Sequence, residues 1–206
     1  MKIGIPKEIK DKEARVGMTP SGVSQLIKAG HSVVVETNAG IDSGFSNDLY
    51  TSAGANLSSA QDAWNVDLVV KVKEPQKSEY HYLQKQIVFT FFHLAGVDKS
   101  LTEALLKKGT TAIAYESLED EYGKLPILAP MSAIAGNMSV LMGAYYLAQF
   151  NQGNGMQLGS ILNKSYGKVV VLGDGVVGQH AAKVASAMGS HVFVASRHED
   201  RWPTLK

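Results

Sequence analysis

Residues 168–178 decide the fold of the C-terminal part: K-V-V-V-L-G-D-G-V-V-G. A run of β-branched residues and leucine ends at Gly173, and the pattern Gly-x-Gly-x-x-Gly follows at once. Apolar residues at helical spacing then continue to Gly189, and His191–Ala195 forms a second β-branched and aromatic run. A strand, a glycine turn, a helix and a strand in this order predict the first βαβ unit of a Rossmann dinucleotide-binding domain.

The three glycines of the motif have separate physical roles. Gly173 allows the tight turn, Gly175 lets the backbone approach a pyrophosphate, and Gly178 lets helix and strand pack closely. Free backbone N–H groups at the start of the helix then face the anion. The alternative interpretation is a tight strand-to-helix turn with no ligand, but the context on both sides favours a dinucleotide.

Ser196 follows the second predicted strand, at the position where such domains usually carry an acidic residue for the ribose 2′-OH. A Ser196-Arg197 pair can instead accept a 2′-phosphate, which would indicate NADP. The alternative is that Arg197 is a solvated surface charge. The sequence leaves the choice between NAD and NADP open.

Working toward the N-terminus, short apolar runs alternate with helical patterns over residues 1 to about 125. Such alternation predicts parallel strands with right-handed crossovers. A long helix fits Met131–Phe150, and 151–167 is predicted to be a loop or linker. The predicted fold class is α/β: a Rossmann-like parallel-sheet substrate domain over residues 1–130, then the start of a Rossmann domain over 131–206. Because two strands and one helix cannot bury both faces of a parallel sheet, we expect that the chain is cut short or that its second unit depends on a partner or on the first domain.

Composition excludes several classes of function. The 206 residues carry 20 Lys and Arg against 19 Asp and Glu, so the basic excess typical of nucleic-acid binders is missing. Cysteine is absent, which excludes disulfides and thiolate chemistry and suits a reducing compartment. Residues 1–6 do not resemble a signal peptide, and the longest apolar stretch is too short to span a bilayer. We therefore expect a cytoplasmic protein without membrane or nucleic-acid partners, and the histidine spacing predicts no metal site.

Polar residues come at or after the carboxyl ends of several predicted strands, where ligands bind to parallel sheets. They are Arg15, Lys71 with Lys73, His93 and Glu116. An arginine and a lysine that converge would hold a small carboxylate, and a histidine beside them could move a proton near neutral pH. Each also has a plain structural interpretation: a solvated loop charge, a strand-end lysine, a satisfied core histidine, or a loop acid that pairs with Arg15 or Lys73. For Lys71 the strand-end interpretation is favoured.

The sequence resembles the alanine dehydrogenase/transhydrogenase alpha-subunit family from Met1 to about Val194. The resemblance is carried by five blocks in the family's order: 3–8 with 13–16 and 19–20, 71–75, 92–95, 113–116 and 128–132. The Lys73-Glu74-Pro75 and Phe92–Ala95 blocks favour the dehydrogenase branch. Members of the family run far beyond residue 206, and Ala133 stands where many relatives carry Glu.

The resemblance implies a function and roles for residues. Arg15 and Lys73 would bind the carboxylate of L-alanine or pyruvate, and His93 would be the catalytic proton donor and acceptor. Ser132 and the backbone at Val176 and Val177 would contact the dinucleotide. The implied reaction is NAD-dependent oxidative deamination of L-alanine to pyruvate and ammonia, by a homo-oligomer that is hexameric in the family. A non-catalytic degenerate subunit or small-carboxylate-binding module and a transhydrogenase hydride-transfer subunit are the alternatives.

Overall fold

The computed structural model describes residues 1–197, and the predictions that concern the tail beyond them lie outside this range. Two compact units are present, Met1–Leu118 and a second that begins at Glu119. Both units are α/β, as the sequence predicts. The functional boundary placed at 130/131 stays a prediction.

The first unit contains a parallel sheet whose order, within the described residues, is β3-β2-β1-β4-β5-β6. The chain builds β1, β2 and β3 outward from the middle and then returns to place β4, β5 and β6 on the other side. The order therefore reverses between β1 and β4, the Rossmann-type arrangement that leaves a crevice at the reversal. Its strands and helices are β1 (Lys2–Ile5), α1 (Pro20–Lys28), β2 (Ser32–Glu36), α2 (Asn47–Ser52), β3 (Asn56–Ser58), α3 (Ala60–Trp64), β4 (Leu68–Lys73), β5 (Ile87–Phe91), α4 (Ser100–Lys108) and β6 (Thr111–Ala114).

Local sequence explains how these elements begin and end. Thr19 caps α1 by accepting the N–H of Gly22, and Pro20 occupies the first helical turn. Gly30, just past the helix, has φ +85°, a conformation that glycine adopts without strain. Strand β3 and helix α3 were not predicted, because they are too short to give a periodic signal.

The core of the first unit lies on both faces of the sheet. Strand residues such as Ile5, Val35 and Val69 have no exposed surface. On one face the backbone of α3 packs so closely that a Cβ on Gly4 would lie 1.8 Å from the carbonyl oxygen of Ala63. The central strands are therefore covered on both sides, and their carboxyl ends are held on a rigid base.

The second unit starts with a long helix and continues through a hairpin into the glycine motif. Its elements are α5 (Ala129–Leu147), β7 (Gly159–Ile161), β8 (Lys164–Tyr166), β9 (Lys168–Leu172), α6 (Val176–Ala187) and β10 (His191–Ala195). Strands β9 and β10 are parallel, and the predicted strand, turn, helix and strand are all present.

The prediction of a loop over residues 151–167 is wrong in part, because β7 and β8 form an antiparallel hairpin there. Leu162 and Asn163 at its tip have φ values of +48° and +65°. Two successive positive φ values are typical of the type I′ turns that close tight hairpins, usually with Asn-Gly. Leucine in the first position hides the signal, so the hairpin could not be predicted from the sequence.

Helices α5 and α6 pack against each other through small residues. A Cβ on Gly136 would lie 2.3 Å from the carbonyl oxygen of Val177, so only glycine permits this approach. The β9–β10 sheet is covered on one face by this pair. Side chains on its other face are exposed: Val170, Leu172 and Phe193.

Within residues 1–197, no helix is both long and apolar enough to cross a membrane. Over the same residues, no three His, Asp or Glu side chains come together in a way that would hold a metal ion.

Candidate substrate and cofactor sites

The crevice between β1 and β4 is the place where a Rossmann-type sheet offers a binding site. The loop after β1 carries Arg15, and β4 ends at Lys73. Strand β5 lies next to β4 and leads into His93. The three predicted substrate-site residues thus follow three neighbouring strands at one edge of one sheet.

Arg15 is fixed by a carboxylate two residues before it. Its Nε and one terminal nitrogen lie 2.8 and 2.7 Å from the two carboxylate oxygens of Glu13, which also accepts the backbone N–H of Arg15. This bidentate pair lowers the pKa of Glu13 below its usual value. Lys73 contributes to the same shift, so its ammonium group acts on the carboxylate that holds Arg15. Arg15 is therefore paired with Glu13, and its side chain remains 46% exposed.

Lys73 lies at an irregularity in the pairing of β4 with β5. The register between β4 and β5 shifts between Val70 and Lys73. The backbone of Lys73 is held from both sides: its N–H lies 3.4 Å from Oε1 of Glu8, and its carbonyl accepts the hydroxyl of Thr90 at 2.9 Å. Its neighbour Glu74 pairs with Lys10 instead of forming an exposed pair with Lys73.

His93 is exposed, so the interpretation as a satisfied core histidine is wrong. Its φ of +46° is unusual for a residue with a side chain, and strain of this kind is common at functional sites. The carboxylate of Glu116 accepts the N–H of His93 at 2.6 Å and that of Phe92 at 3.2 Å. Glu116 therefore anchors the backbone that presents the imidazole. This contact differs from the predicted pairing of Glu116 with Arg15 or Lys73.

Gly96 leaves the space that the imidazole occupies. A Cβ at Gly96 would lie 2.1 Å from Nε2 of His93. The N–H of Gly96 also donates to the carbonyl of His93 at 2.8 Å, which closes a tight 3-10 turn over Leu94–Gly96. The ring position thus depends on a glycine three residues further along.

The prediction that Lys71 is an ordinary strand-end residue is wrong. Its side chain has no exposed surface, and its ammonium group lies 2.9 Å from Glu79 and 3.3 Å from Glu8. A lysine in the middle of an apolar strand was the available signal, because an isolated lysine is almost never fully buried without a partner. The partners themselves, distant in sequence, could not be identified without the fold.

In the second unit, the glycine turn has the geometry that a dinucleotide needs. Gly173 has φ +107°, and a Cβ on Gly175 would meet no atom within 4 Å, so the backbone there is open to a phosphate. A Cβ on Gly178 would lie 2.0 Å from the carbonyl oxygen of Gly173. Helix α6 begins immediately after Gly175, so its first N–H groups face this open space. The residues present therefore fit a bound pyrophosphate.

A cavity of about 550 Å³ lies beside this turn. Ser132 of α5 lines it together with the glycine motif, including Val176 and Val177. Ser196 directly follows β10, whose last residue Ala195 accepts the N–H of Gly173 at 2.8 Å. All residues predicted to bind the cofactor therefore lie around one turn or directly after the strand beside it.

These features define a class: an α/β protein with a Rossmann-type sheet and a glycine turn suited to a dinucleotide. Comparison with known families is more specific. The family model described as alanine dehydrogenase/PNT, N-terminal domain, matches residues 4–135, and its C-terminal counterpart matches residues 139–206. The chain belongs to the alanine dehydrogenase/PNT family. The match extends past Val194, where the sequence resemblance had been placed.

Individual relatives agree with this assignment. The alanine dehydrogenase of Bacillus subtilis is 48% identical over 203 residues, which are 98% of this chain and 53% of that protein. The structure of an L-alanine dehydrogenase superposes with a TM-score of 0.90 at 48% identity, covering all of this chain and 57% of the other. A transhydrogenase from Sinorhizobium meliloti superposes with a TM-score of 0.76 at 24% identity, which shows a shared fold. The chain thus spans about half the length of the relatives it matches.

Proposed function

We propose that this chain provides the substrate domain and the start of the cofactor domain of an NAD-dependent alanine dehydrogenase. The observation that carries the proposal is the sheet reversal between β1 and β4, which has Arg15 on one side and Lys73 on the other. Two cations at such a crevice suit the carboxylate of L-alanine or pyruvate. The identity of 48% to curated alanine dehydrogenases over nearly the whole chain supports the same reaction.

Arg15 and Lys73 orient the substrate through its carboxylate. Glu13 holds one edge of the guanidinium, which fixes the plane in which the remaining N–H groups point. An arginine fixed in this way loses little rotamer freedom when a carboxylate binds. Lys73 adds a point charge from the neighbouring strand.

His93 moves the protons of the reaction. Oxidative deamination of L-alanine requires a proton acceptor for the amine and for the water that hydrolyses the imine to pyruvate and ammonia. The imidazole of His93 is exposed, and histidine is the side chain that most often serves as a general acid and base, so it can take up and release these protons. Its backbone is anchored by Glu116 and its ring is accommodated by Gly96.

The second unit binds the nicotinamide dinucleotide, which supplies the hydride acceptor when bound. The turn from Gly173 to Gly178 and the first N–H groups of α6 hold the pyrophosphate, and Ser132 contacts the dinucleotide from α5. Ser196 would contact the ribose. NAD is proposed as the cofactor, and NADP is the alternative that Ser196-Arg197 keeps open.

A hydride-transfer subunit of a transhydrogenase is the alternative within the family. The similarity to the Sinorhizobium meliloti transhydrogenase concerns the fold, whereas the alanine dehydrogenases share about half of the residues of this chain. A non-catalytic module that binds small carboxylates is the alternative outside enzymes. The family also implies a homo-oligomer, which light scattering coupled to size-exclusion chromatography would reveal.

Turnover separates these functions. The chain alone, and the chain joined to the C-terminal remainder of the Bacillus subtilis relative, are assayed for NADH formation from NAD and L-alanine, with NADP in a parallel assay. We expect alanine-dependent NADH formation by the joined protein. Hydride transfer from NADH to NADP without alanine would support the transhydrogenase instead, and pyruvate binding without turnover would support the module.

A further inference from the structure

Three charged side chains form a buried cluster around β4, the strand that ends at Lys73. Lys71, on β4, is enclosed by Glu8 and Glu79, and the three side chains are 0, 2 and 5% exposed. The ammonium group also lies 5.6 Å from the ring centre of Trp64. None of the three residues belongs to the proposed catalytic groups.

Stability alone does not account for such a cluster. Charges that are removed from water lose their hydration, and a buried ion pair can often be replaced by apolar residues without loss of stability. Burial raises the pKa of Glu8, while Lys71 and backbone N–H groups act in the opposite direction. The contacts of the cluster with the neighbouring backbone are therefore of interest.

Oε1 of Glu8, the carboxylate oxygen that does not pair with Lys71, contacts the backbone of β4. It accepts the backbone N–H of Val72 at 2.6 Å and lies 3.4 Å from that of Lys73. These are the residues at which β4 slips its register against β5. Backbone N–H groups at an irregularity lose their ladder partners, and here a carboxylate replaces them.

Lys73 is held a second time, through its carbonyl. The hydroxyl of Thr90, a fully buried residue of β5, donates to the carbonyl of Lys73 at 2.9 Å. The backbone of Lys73 is thus fixed through both its N–H and its carbonyl. Lys71 in turn holds the carboxylate of Glu8 through its other oxygen, Oε2, at 3.3 Å.

We propose that Glu8, oriented by Lys71, is a positioning residue that sets where the ammonium group of Lys73 meets the substrate carboxylate. This inference rests on the proposed carboxylate-binding role of Lys73. It adds a named function to Glu8 and Lys71, two residues outside the proposed catalytic groups.

The test compares two glutamates that share one lysine. Glu8→Gln and Glu79→Gln each remove one carboxylate charge from Lys71, but Glu79 accepts the N–H of Gln76 (2.7 Å) at the start of a 3-10 helix. The readouts are the Kd of the full chain for pyruvate by calorimetry, the exchange of the Val72 amide by NMR, and the Tm. We expect Glu8→Gln to weaken pyruvate binding at least about tenfold and to speed exchange at Val72, because small misplacements of a binding group cost much. Glu79→Gln should lower the Tm comparably and leave the Kd within about twofold.

Thr90→Val keeps the test decisive if Glu8→Gln does not fold. This nearly isosteric change removes one neutral hydrogen bond to Lys73, and a smaller weakening of pyruvate binding is expected. Equal Kd values for the wild type and Glu8→Gln, or for the wild type and Thr90→Val where only that variant folds, would overturn the positioning role alone. Equal weakening in Glu8→Gln and Glu79→Gln would also overturn it. If the wild-type chain itself binds no pyruvate, the proposed function fails and the positioning role fails with it.

Discussion

The two units differ in how far the parallel strand that leads to the binding site is buried: β4 is buried, and β9 is exposed on one face. In β4, Val69 and Val70 are 0 and 4% exposed, whereas in β9, Val170 and Leu172 are 64 and 83% exposed. The covered strand leads into a site made of charged side chains that buried carboxylates hold in place. The open strand leads into a turn whose binding groups are backbone N–H groups. The difference teaches that the first site depends on contacts between distant side chains and backbone, whereas the second depends on a local turn and the start of the helix that follows it.

The largest effect, a loss of turnover, is expected from a change at His93 in the proposed substrate site. His93→Ala should lower kcat by about 10²- to 10⁴-fold, the usual contribution of a general acid and base. The affinity for the dinucleotide should stay the same, because the glycine turn is made of other residues. The measurement is steady-state turnover in the protein completed with the C-terminal remainder, together with NADH binding by fluorescence.

His81→Ala is the matched control, since His81 is another exposed histidine of the same unit. Its turnover should equal that of the unchanged protein. Equal turnover in the His93 and His81 variants would show that the imidazole of His93 does not handle protons.

A smaller effect, limited to NADH binding, is expected from a change in the Gly173–Gly178 turn. Gly178→Ala places a Cβ 2.0 Å from the carbonyl oxygen of Gly173, so the turn or the helix start must move. Overpacking of this kind costs about 1–3 kcal/mol, and we expect NADH to bind about tenfold more weakly or worse. Pyruvate binding should not change.

Gly143→Ala serves as the control for the glycine turn. Gly143 lines the same cavity, but a Cβ there meets no atom within 4 Å. NADH affinity should be retained in this variant. Equal NADH affinity of the Gly178→Ala variant and the wild type would contradict the phosphate-binding role of the turn.

Much of the fold could be predicted because the signals were local. The Gly173–Gly178 motif lies between two recognisable strands, and Thr19-Pro20 is a helix start that depends on its own neighbours. The β7–β8 hairpin was not predicted, because Leu162 occupies a turn position where Asn or Gly is usual.

For the candidate site, the strand-end rule singled out Arg15, Lys73 and His93, but not what holds them. Glu8 and Glu116 act on backbone groups that are more than twenty residues away in sequence. No local pattern encodes such a contact, since it exists only when the parallel strands are in register. For Lys71 the prediction of a strand-end residue was wrong, although a charge inside an apolar strand is a local signal of a buried partner.

Stability measurements can sharpen the comparison between the covered and the open strand. Val69→Ala should lower the free energy of unfolding by about 2 kcal/mol, because a fully buried side chain loses its contacts and leaves a cavity. Val170→Ala, the same change on the exposed face, should cost about 0.5 kcal/mol or less. Urea unfolding of the two variants provides the values, and equal losses would show that the β9 face is covered in solution.

The smallest effect concerns acid pH. Arg15 keeps the pKa of Glu13 below its usual value in the folded chain, so the pair stabilises the fold above the unfolded pKa of 4.5. This contribution is lost as the pH falls through the lowered pKa, where Glu13 takes up a proton and releases Arg15. For a partly exposed pair it amounts to about 1 kcal/mol or less. Glu13→Gln should therefore reduce the unfolding free energy at pH 7 and flatten its fall below 4.5, whereas an unchanged acid limb would contradict the pairing.

The central claim is that two cations on either side of the sheet reversal bind one small carboxylate. Calorimetry of pyruvate with the chain and with the double variant Arg15→Met/Lys73→Met tests it most directly. The account predicts one pyruvate per chain and a loss of affinity of about a hundredfold or more in the variant, since each charged hydrogen bond contributes about 1.5–3 kcal/mol. Pyruvate binding that is the same in both proteins would contradict it.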